Sequence, residues 1–301
     1  MAQSAAGIPD PGSQQDGPTG EELLRPLGRY ILIARLGRGG MGSAFLAVMH
    51  GPAGFNKLLV VKTLLPQLAR NPTLLEMFLQ EARICARLSH PNVVQTYEIA
   101  QEEGEYFLVM DYLQGCPLSE LMALPAKKRA TLPLLLRMLR DVLDGLKYAH
   151  ELADLDGSPL NIVHRDVSPQ NIFITYQGVA KLFDFGVAKT VIGSGSTQSG
   201  VIKGKYGYMA PEQARGEAVD PRSDVFSLGI VLWEILAGRK MMEGSSEPVQ
   251  IAARINDEEP KLLEVNPAVD PDLAAICERA TAHRPDDRYA SALEMQRALE
   301  D

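Results

Sequence analysis

What most narrows the folds open to this chain is the order of several short motifs, more than any one of them. LGRGGMGSA (Leu36–Ala44) comes first, followed by a lysine closing LVVK (Lys62) and a glutamate inside FLQEARIC (Glu81). HRDVSPQN (His164–Asn171), DFG (Asp184–Gly186) and APE (Ala210–Glu212) come after. Asn171 follows Asp166 by five residues, and Asp184 follows Asn171 by thirteen. Chance assembly of these elements in one order is negligible. Gly37, Gly39 and Gly42 fit G-x-G-x-x-G, a pattern that dinucleotide-binding folds place between a strand and a helix. Here it lies between two strand-like runs, YILIARLG and SAFLAVMH, and leads through a GPAGFNK turn into a third, LLVVKTL. LLEMFLQEARICARL sets Leu75, Phe78, Ala82 and Cys85 on one helical face, and EYFLVMDYL reads as a further strand. LLLRMLRDVLDGLKYAHEL then places Leu135, Leu139, Val142, Leu146 and Ala149 on one stripe. SPLNIVHRD, NIFIT and AKLFDFG are short strand-and-loop pieces, while DVFSLGIVLWEILAG and PDLAAICERAT are helical. A strand-rich first third followed by a helix-rich remainder predicts an α+β protein in two lobes.

Composition removes several alternatives. Apolar residues make up 46% of the 301, enough for a substantial core. The net charge of −8 argues against a nucleic-acid partner, which would call for a basic excess. No apolar run approaches the ~18 residues of a membrane span, and the longest, VFSLGIVLWEILAG, is interrupted by Glu234. Residues 1–25 open with MAQSAAGIPDPGSQQDGPTG, too polar and too rich in Pro and Gly to offset chain entropy, and are expected to be a disordered leader. Cys85, Cys116 and Cys277 are odd in number and form no C-x-x-C. They are expected to be buried structural thiols in a reducing cytoplasm.

From about residue 30 onward the chain resembles the catalytic domain of bacterial, eukaryotic-like (Hanks-type) Ser/Thr protein kinases. The residues carrying the resemblance are the glycine loop, Lys62, Glu81, HRDVSPQN, DFG and APE. It implies a bilobal kinase fold over residues 30–301. The N-lobe (about 30–112) would be a small antiparallel sheet with one helix, and the C-lobe (about 116–301) mainly helical. ATP would sit between them, with Leu36, Gly37, Gly39, Gly42, Ala44, Val60 and Lys62 above it. Met110 would be the gatekeeper, Asp111 and Leu113 the hinge, and Phe173 the floor below the ring. Glu81 would pair with Lys62, Asp166 would deprotonate the acceptor hydroxyl, and Asn171 and Asp184 would hold Mg²⁺. Asp224 would brace the catalytic loop and Glu212 would pair with Arg288. The implied partners are ATP and a protein bearing a Ser/Thr hydroxyl, with no nucleic acid and no membrane.

Two positions depart from the family. A valine after the glycine loop and an alanine before the strand lysine are usual; Ala44 and Val60 stand there instead, a volume-conserving exchange around adenine. The lysine usual two residues after the catalytic Asp is Ser168, while Lys205 occupies the place of a usual threonine before APE. Lys205 would then supply the missing charge from the opposite side, or be a solvent-exposed loop lysine. Ser194, Ser196, Thr197 and Ser199 lie between DFG and APE, where a phosphate could pair with Arg165. A pseudokinase scaffold that binds nucleotide without transfer is the alternative.

Overall fold

Strand alternation in the first third generates two apolar faces from one sheet. A computed structural model of the chain describes residues 24–39, 42–185 and 206–300. Strands β1 (Arg25–Leu27), β2 (Tyr30–Arg38), β3 (Gly42–His50), β4 (Asn56–Leu64), β5 (Thr96–Glu102) and β6 (Glu105–Asp111) form one sheet. Its order is β1-β2-β3-β4-β6-β5, and every pair is antiparallel. Leu59 and Val61 of β4 pack with Tyr30, Leu32, Ala47, Phe107 and Val109. Leu64, on the alternate face, packs with Leu108 and with Phe78 and Ala82 of a helix. Because side chains alternate along a strand, Val60 and Lys62 share the face of Leu64. That places Lys62 under the helix carrying Glu81.

A four-residue helical turn, α1 (Pro66–Ala69), precedes that helix, α2 (Pro72–Cys85), so the N-lobe has one more helical piece than its periodicity predicts. The start of α2 is set by Asn71, whose side chain accepts from Thr73 N (3.0 Å) and Leu74 N (3.3 Å), with Pro72 at the first helical position.

After β6 the chain turns helical. Strand β7 (Gly115–Pro117) is followed by α3 (Leu118–Ala123) and α4 (Leu132–His150). Strands β8 (Ile172–Thr175) and β9 (Ala180–Leu182) complete a three-stranded sheet with β7. Then come α5 (Pro211–Arg215), α6 (Pro221–Ala237), α7 (Glu247–Asn256), α8 (Leu262–Val265), α9 (Pro271–Ala280) and α10 (Ala292–Ala298). The stripe on α4 is buried at Leu139, Val142, Leu146 and Ala149, facing α6 and α10. Gly145 of the same helix allows a close approach, since a Cβ there would lie 2.8 Å from the Asn92 carbonyl. Asn92 in turn donates to Ala180 O (2.9 Å), and Val93 bridges to Leu182. The strand leading into Asp184 is thereby fixed against both lobes.

Helix α6 is the axis of the larger lobe and is buried along most of its length. Asp220 caps it through Arg222 N (2.8 Å), and Gly238 ends it in the left-handed region. Glu234 does interrupt this apolar helix, as its sequence indicated, and is itself buried. It accepts from the Tyr208 hydroxyl (2.9 Å) and Met241 N (3.1 Å), while burial pushes its carboxyl up.

Residues 1–23 of the expected leader lie outside the described residues, and strand pairing begins at Arg25, opposite Leu32. The expectation for the cysteines holds only at Cys277. None of the three is in a disulfide among the described residues, but Cys85 and Cys116 are half-buried, because Cys85 ends α2 and Cys116 lies on the short strand β7. Among the described residues no helix is long and apolar enough to cross a membrane.

Candidate active site

Strand register collects the upper half of the site. Ala44 lies opposite Lys62 in the β3–β4 pair, and Val60 lies opposite Met110 in the β4–β6 pair. Ala44, Val60, Lys62 and Met110 therefore share one sheet face, the arrangement the exchanged Ala/Val pair needs. Leu36 is exposed on β2, and the neighbouring Gly37 pairs with Ala44. Asp111 ends β6, and Leu113 lies in the link to β7.

The glycines divide by role. At Gly42 a Cβ would fall 1.7 Å from the Thr63 carbonyl, so glycine is demanded by the β3–β4 packing itself. At Gly37 a Cβ meets nothing within 4 Å, and at Gly39 only the Gly42 carbonyl at 3.9 Å. Packing within the described residues therefore does not require glycine at 37 or 39. The open space beside them suits a phosphate approaching the backbone, as in glycine-loop nucleotide sites.

The lower half is built on the catalytic loop. His164 and Asp224 hold it: Asp224 accepts from His164 N (2.8 Å) and Arg165 N (2.8 Å), and His150 Nε2 lies 2.8 Å from the same carboxylate. Burial alone would push the Asp224 carboxyl up, but the His150 hydrogen bond and the His164 ring and backbone keep it below the usual carboxylate range. Arg165 is thereby held at φ +64°, a left-handed conformation that a non-glycine residue keeps only when its surroundings enforce it. His164 Nε2 lies 3.1 Å from the Phe183 carbonyl, and Asp166 N donates to His164 Nδ1 (3.3 Å). Since a carbonyl only accepts, the proton sits on Nε2. The ring also packs on Phe185 with centroids 4.4 Å apart.

Asp166 is 8% exposed and accepts two hydrogen bonds from one group. Asn171 Nδ2 donates to its Oδ2 (2.6 Å) and to its backbone carbonyl (2.8 Å). Both hydrogen bonds use the NH₂ of Asn171, which leaves its amide oxygen outside these contacts. Phe183 N donates to the Asn171 carbonyl (3.2 Å), which ties the segment before Asp184 to the loop. Asp184, at φ +60°, accepts from Lys62 Nζ.

The family model for the protein kinase domain matches residues 30–299. The chain belongs to the protein kinase family. It is 44% identical over 280 residues to "Tyrosine-protein kinase MasK" of Myxococcus xanthus, covering 92% of this chain and 43% of that one. It is 36% identical to the serine/threonine-protein kinase PknB of Mycolicibacterium smegmatis (90% and 42% covered) and 32% identical to PrkC of Bacillus subtilis (89% and 40%). The chain thus spans less than half the length of these curated relatives. Among solved structures, the Mycobacterium tuberculosis PknI kinase domain superposes with a TM-score of 0.68 at 27% identity, covering 92% of this chain and 97% of that one. The fold is the bilobal kinase fold of a bacterial Hanks-type domain.

Within this kinase domain Lys62 pairs with Asp184. Glu81 lies on α2, and its side chain falls outside the description. Lys205, the four candidate phosphosites and Gly186 also lie outside the described residues. The Glu212–Arg288 pair forms as expected, bidentate at 2.8 Å in each arm.

Sequence reasoning missed several supporting groups. Phe183 meets Phe173 edge-on, with centroids 6.4 Å apart, so two aromatic rings lie where one was expected. Tyr97 donates to Asp111 and accepts from Lys57 Nζ (2.6 Å), anchoring the first hinge residue. Gln213 donates to the Arg165 carbonyl (3.1 Å) while accepting from Ala210 N (3.0 Å), linking α5 to the catalytic loop. Position in the sequence marks none of these, and two of the partners lie 48 and 40 positions away, Arg165 from Gln213 and Lys57 from Tyr97.

Proposed function

We propose that this domain transfers the γ-phosphate of ATP to a protein hydroxyl, in the first place serine or threonine, with Mg²⁺ bound. The observation that carries the reading is the Asp166–Asn171 contact at 2.6 Å, which fixes a carboxylate and an amide oxygen side by side at one end of the site. Asp166 would orient the acceptor hydroxyl and take its proton. Lys62 would bind phosphate oxygens, held in place by its register between Val60 and Leu64. Mg²⁺, when bound, supplies charge neutralisation across the phosphates. Asn171 and Asp184 fit such a hard cation, which favours oxygen ligands and keeps several waters. Among the described residues no cluster of three or more His, Cys, Asp or Glu side chains converges, so phosphate and water would complete the shell. Three free thiols support a reducing, cytoplasmic setting.

A tyrosine acceptor is the second reading. Ser168 replaces the lysine usual in Ser/Thr kinases, and a relative at 44% identity is named a tyrosine-protein kinase. The relatives named serine/threonine kinases favour the first reading. Phosphoamino-acid analysis of the products after incubation with Mg-ATP distinguishes them. Phosphoserine and phosphothreonine are expected, and phosphotyrosine alone would overturn the primary reading.

Lys205 is further proposed to supply the charge that Ser168 lacks. Supporting this, Ser168 Oγ, two residues after Asp166, is buried with no hydrogen-bond partner among the described residues. Lys205→Met is expected to lower transfer by about 10²-fold, in the range of a single lost charge-stabilising donor. Lys205→Thr with Ser168→Lys is expected to restore part of it, and a double variant as inactive as the single one would sink the exchange.

A further inference from the structure

The short helical turn Tyr206–Tyr208 is held from two sides. From α6, Glu234 accepts the Tyr208 hydroxyl at 2.9 Å. From α7, Arg254 Nη2 donates to the Gly207 carbonyl at 2.6 Å. Arg254 is 1% exposed, and its guanidinium lies 4.7 Å from the centre of the Phe226 ring. Burial pulls its guanidinium down to about 10, so it still carries its charge at neutral pH.

A buried cation is ordinarily expected to satisfy a buried anion. Glu259 Oε1 does lie 3.0 Å from Arg254 Nη1, but off the hydrogen-bond direction. Among the described residues Arg254 Nε and Nη1 and Glu259 Oε1 have no hydrogen-bond partner. The aligned bond is spent on Gly207. Arg254 thus does two things: Nη1 sits beside the Glu259 carboxylate and balances its charge, while Nη2 makes its one aligned hydrogen bond to the turn.

The clamped turn connects directly to the chemistry. It runs into α5, where Gln213 grips the Arg165 carbonyl next to Asp166. Beside it opens a cavity lined by Pro169 and Gln170 of the catalytic loop and by Tyr208, Arg239 and Lys240. Tyr208 of the turn and Pro169 and Gln170, which follow Asp166 by three and four residues, thus wall one cavity in which an acceptor segment could lie.

We propose that Arg254 is a positioning residue for the protein acceptor, fixing the Gly207 carbonyl so that the 206–208 turn forms a rigid floor beside Asp166. This rests on the protein-kinase reading above. The test uses the full chain with dephosphorylated casein as acceptor, comparing the parent with Arg254→Lys and Arg254→Met. Arg254→Met is expected to raise the KM for casein about tenfold, the effect of one lost charge-assisted hydrogen bond, with Arg254→Lys intermediate. The KM for ATP and the acceptor-free ATP hydrolysis should stay at the parent values. Unchanged casein KM, or a parallel loss of ATP hydrolysis, would overturn the proposal, the latter by showing general structural damage. If Arg254→Met does not fold, Arg254→Lys is judged by the same criteria. A parent that hydrolyses ATP yet transfers none to protein would instead overturn the functional reading, and this inference with it.

Discussion

Asp166→Asn is expected to lose about 10²–10⁴-fold in phosphate transfer, the usual contribution of a positioned general base, while still binding nucleotide. The substitution is nearly isosteric. Asn171 Nδ2 can still donate to the side-chain oxygen it now meets at 2.6 Å, and the backbone carbonyl contact at 2.8 Å is untouched. The loop is also braced independently of this side chain, through the three groups that converge on Asp224. What disappears is a carboxylate able to accept a proton. Intact-protein mass after incubation with Mg-ATP, with nucleotide affinity measured in parallel, checks it. Added phosphate in the parent alone fits the proposal. Equal incorporation in both would remove Asp166 from the role of base. Nucleotide binding without transfer in the parent, with casein present, would favour a scaffold.

Asp166, Asn171 and Asp184 could be picked out in the sequence because they stand in short motifs, HRDVSPQN and DFG. The loop's own turn, with Asn171 N bonded to the Ser168 carbonyl (2.9 Å), is what brings the carboxylate and the amide five residues apart into contact. Lys62 was legible for a different reason, since strand alternation alone assigns it to the face of Val60 and Leu64. The sheet and its partner helix followed from the same periodicities, down to Phe78 and Ala82 on the buried face of α2. Of the supports, Asp224 and the Glu212–Arg288 pair were legible through the family resemblance, while the groups that reach them from elsewhere in the chain were not. His150 reaches Asp224 across 74 positions, and Lys57 reaches Tyr97 across 40. A histidine ending an amphipathic helix carries no mark of the aspartate it will meet. Arg254 is the sharpest case: on a half-polar helix it reads as a solvent-facing charge, yet it is among the largest fully buried side chains. Only the packing of α7 against the 206–208 turn decides that, and no short-range pattern encodes it.

Arg288→Met is expected to destabilise the domain by about 3–5 kcal/mol, the cost of stranding one partner of a buried ion pair. Few side chains are as fully engaged. Nη1 donates to Glu212 Oε1 (2.8 Å) and the Arg222 carbonyl (3.1 Å), and Nη2 to Glu212 Oε2 (2.8 Å) and the His283 carbonyl (3.0 Å). Nε donates to the Ala282 carbonyl (2.7 Å), so all five N–H groups of the guanidinium are used. Methionine preserves most of the volume against Phe226, where the guanidinium now lies 4.7 Å from the ring centre. It removes the Arg288 donor from three carbonyls and leaves a buried Glu212 with only the Ser223 hydroxyl (2.5 Å) among these side-chain contacts. Urea unfolding at constant m checks the magnitude. Against a total stability of about 5–15 kcal/mol the loss is large enough to leave a substantial unfolded fraction. The pH dependence identifies its origin. In the parent, burial would push the Glu212 carboxyl up, but the Arg288 and Ser223 hydrogen bonds hold it below its usual value of 4.5. Its contribution is therefore present above that value and lost as the pH falls toward the depressed folded one. In the variant burial acts without the guanidinium, so the carboxyl is pushed up and takes a proton more readily. The deficit should then be greatest at neutral pH and shrink as the pH is lowered toward 4.5. An equal deficit across that window would place the cost in the lost carbonyl contacts and ring packing, and not in the stranded carboxylate.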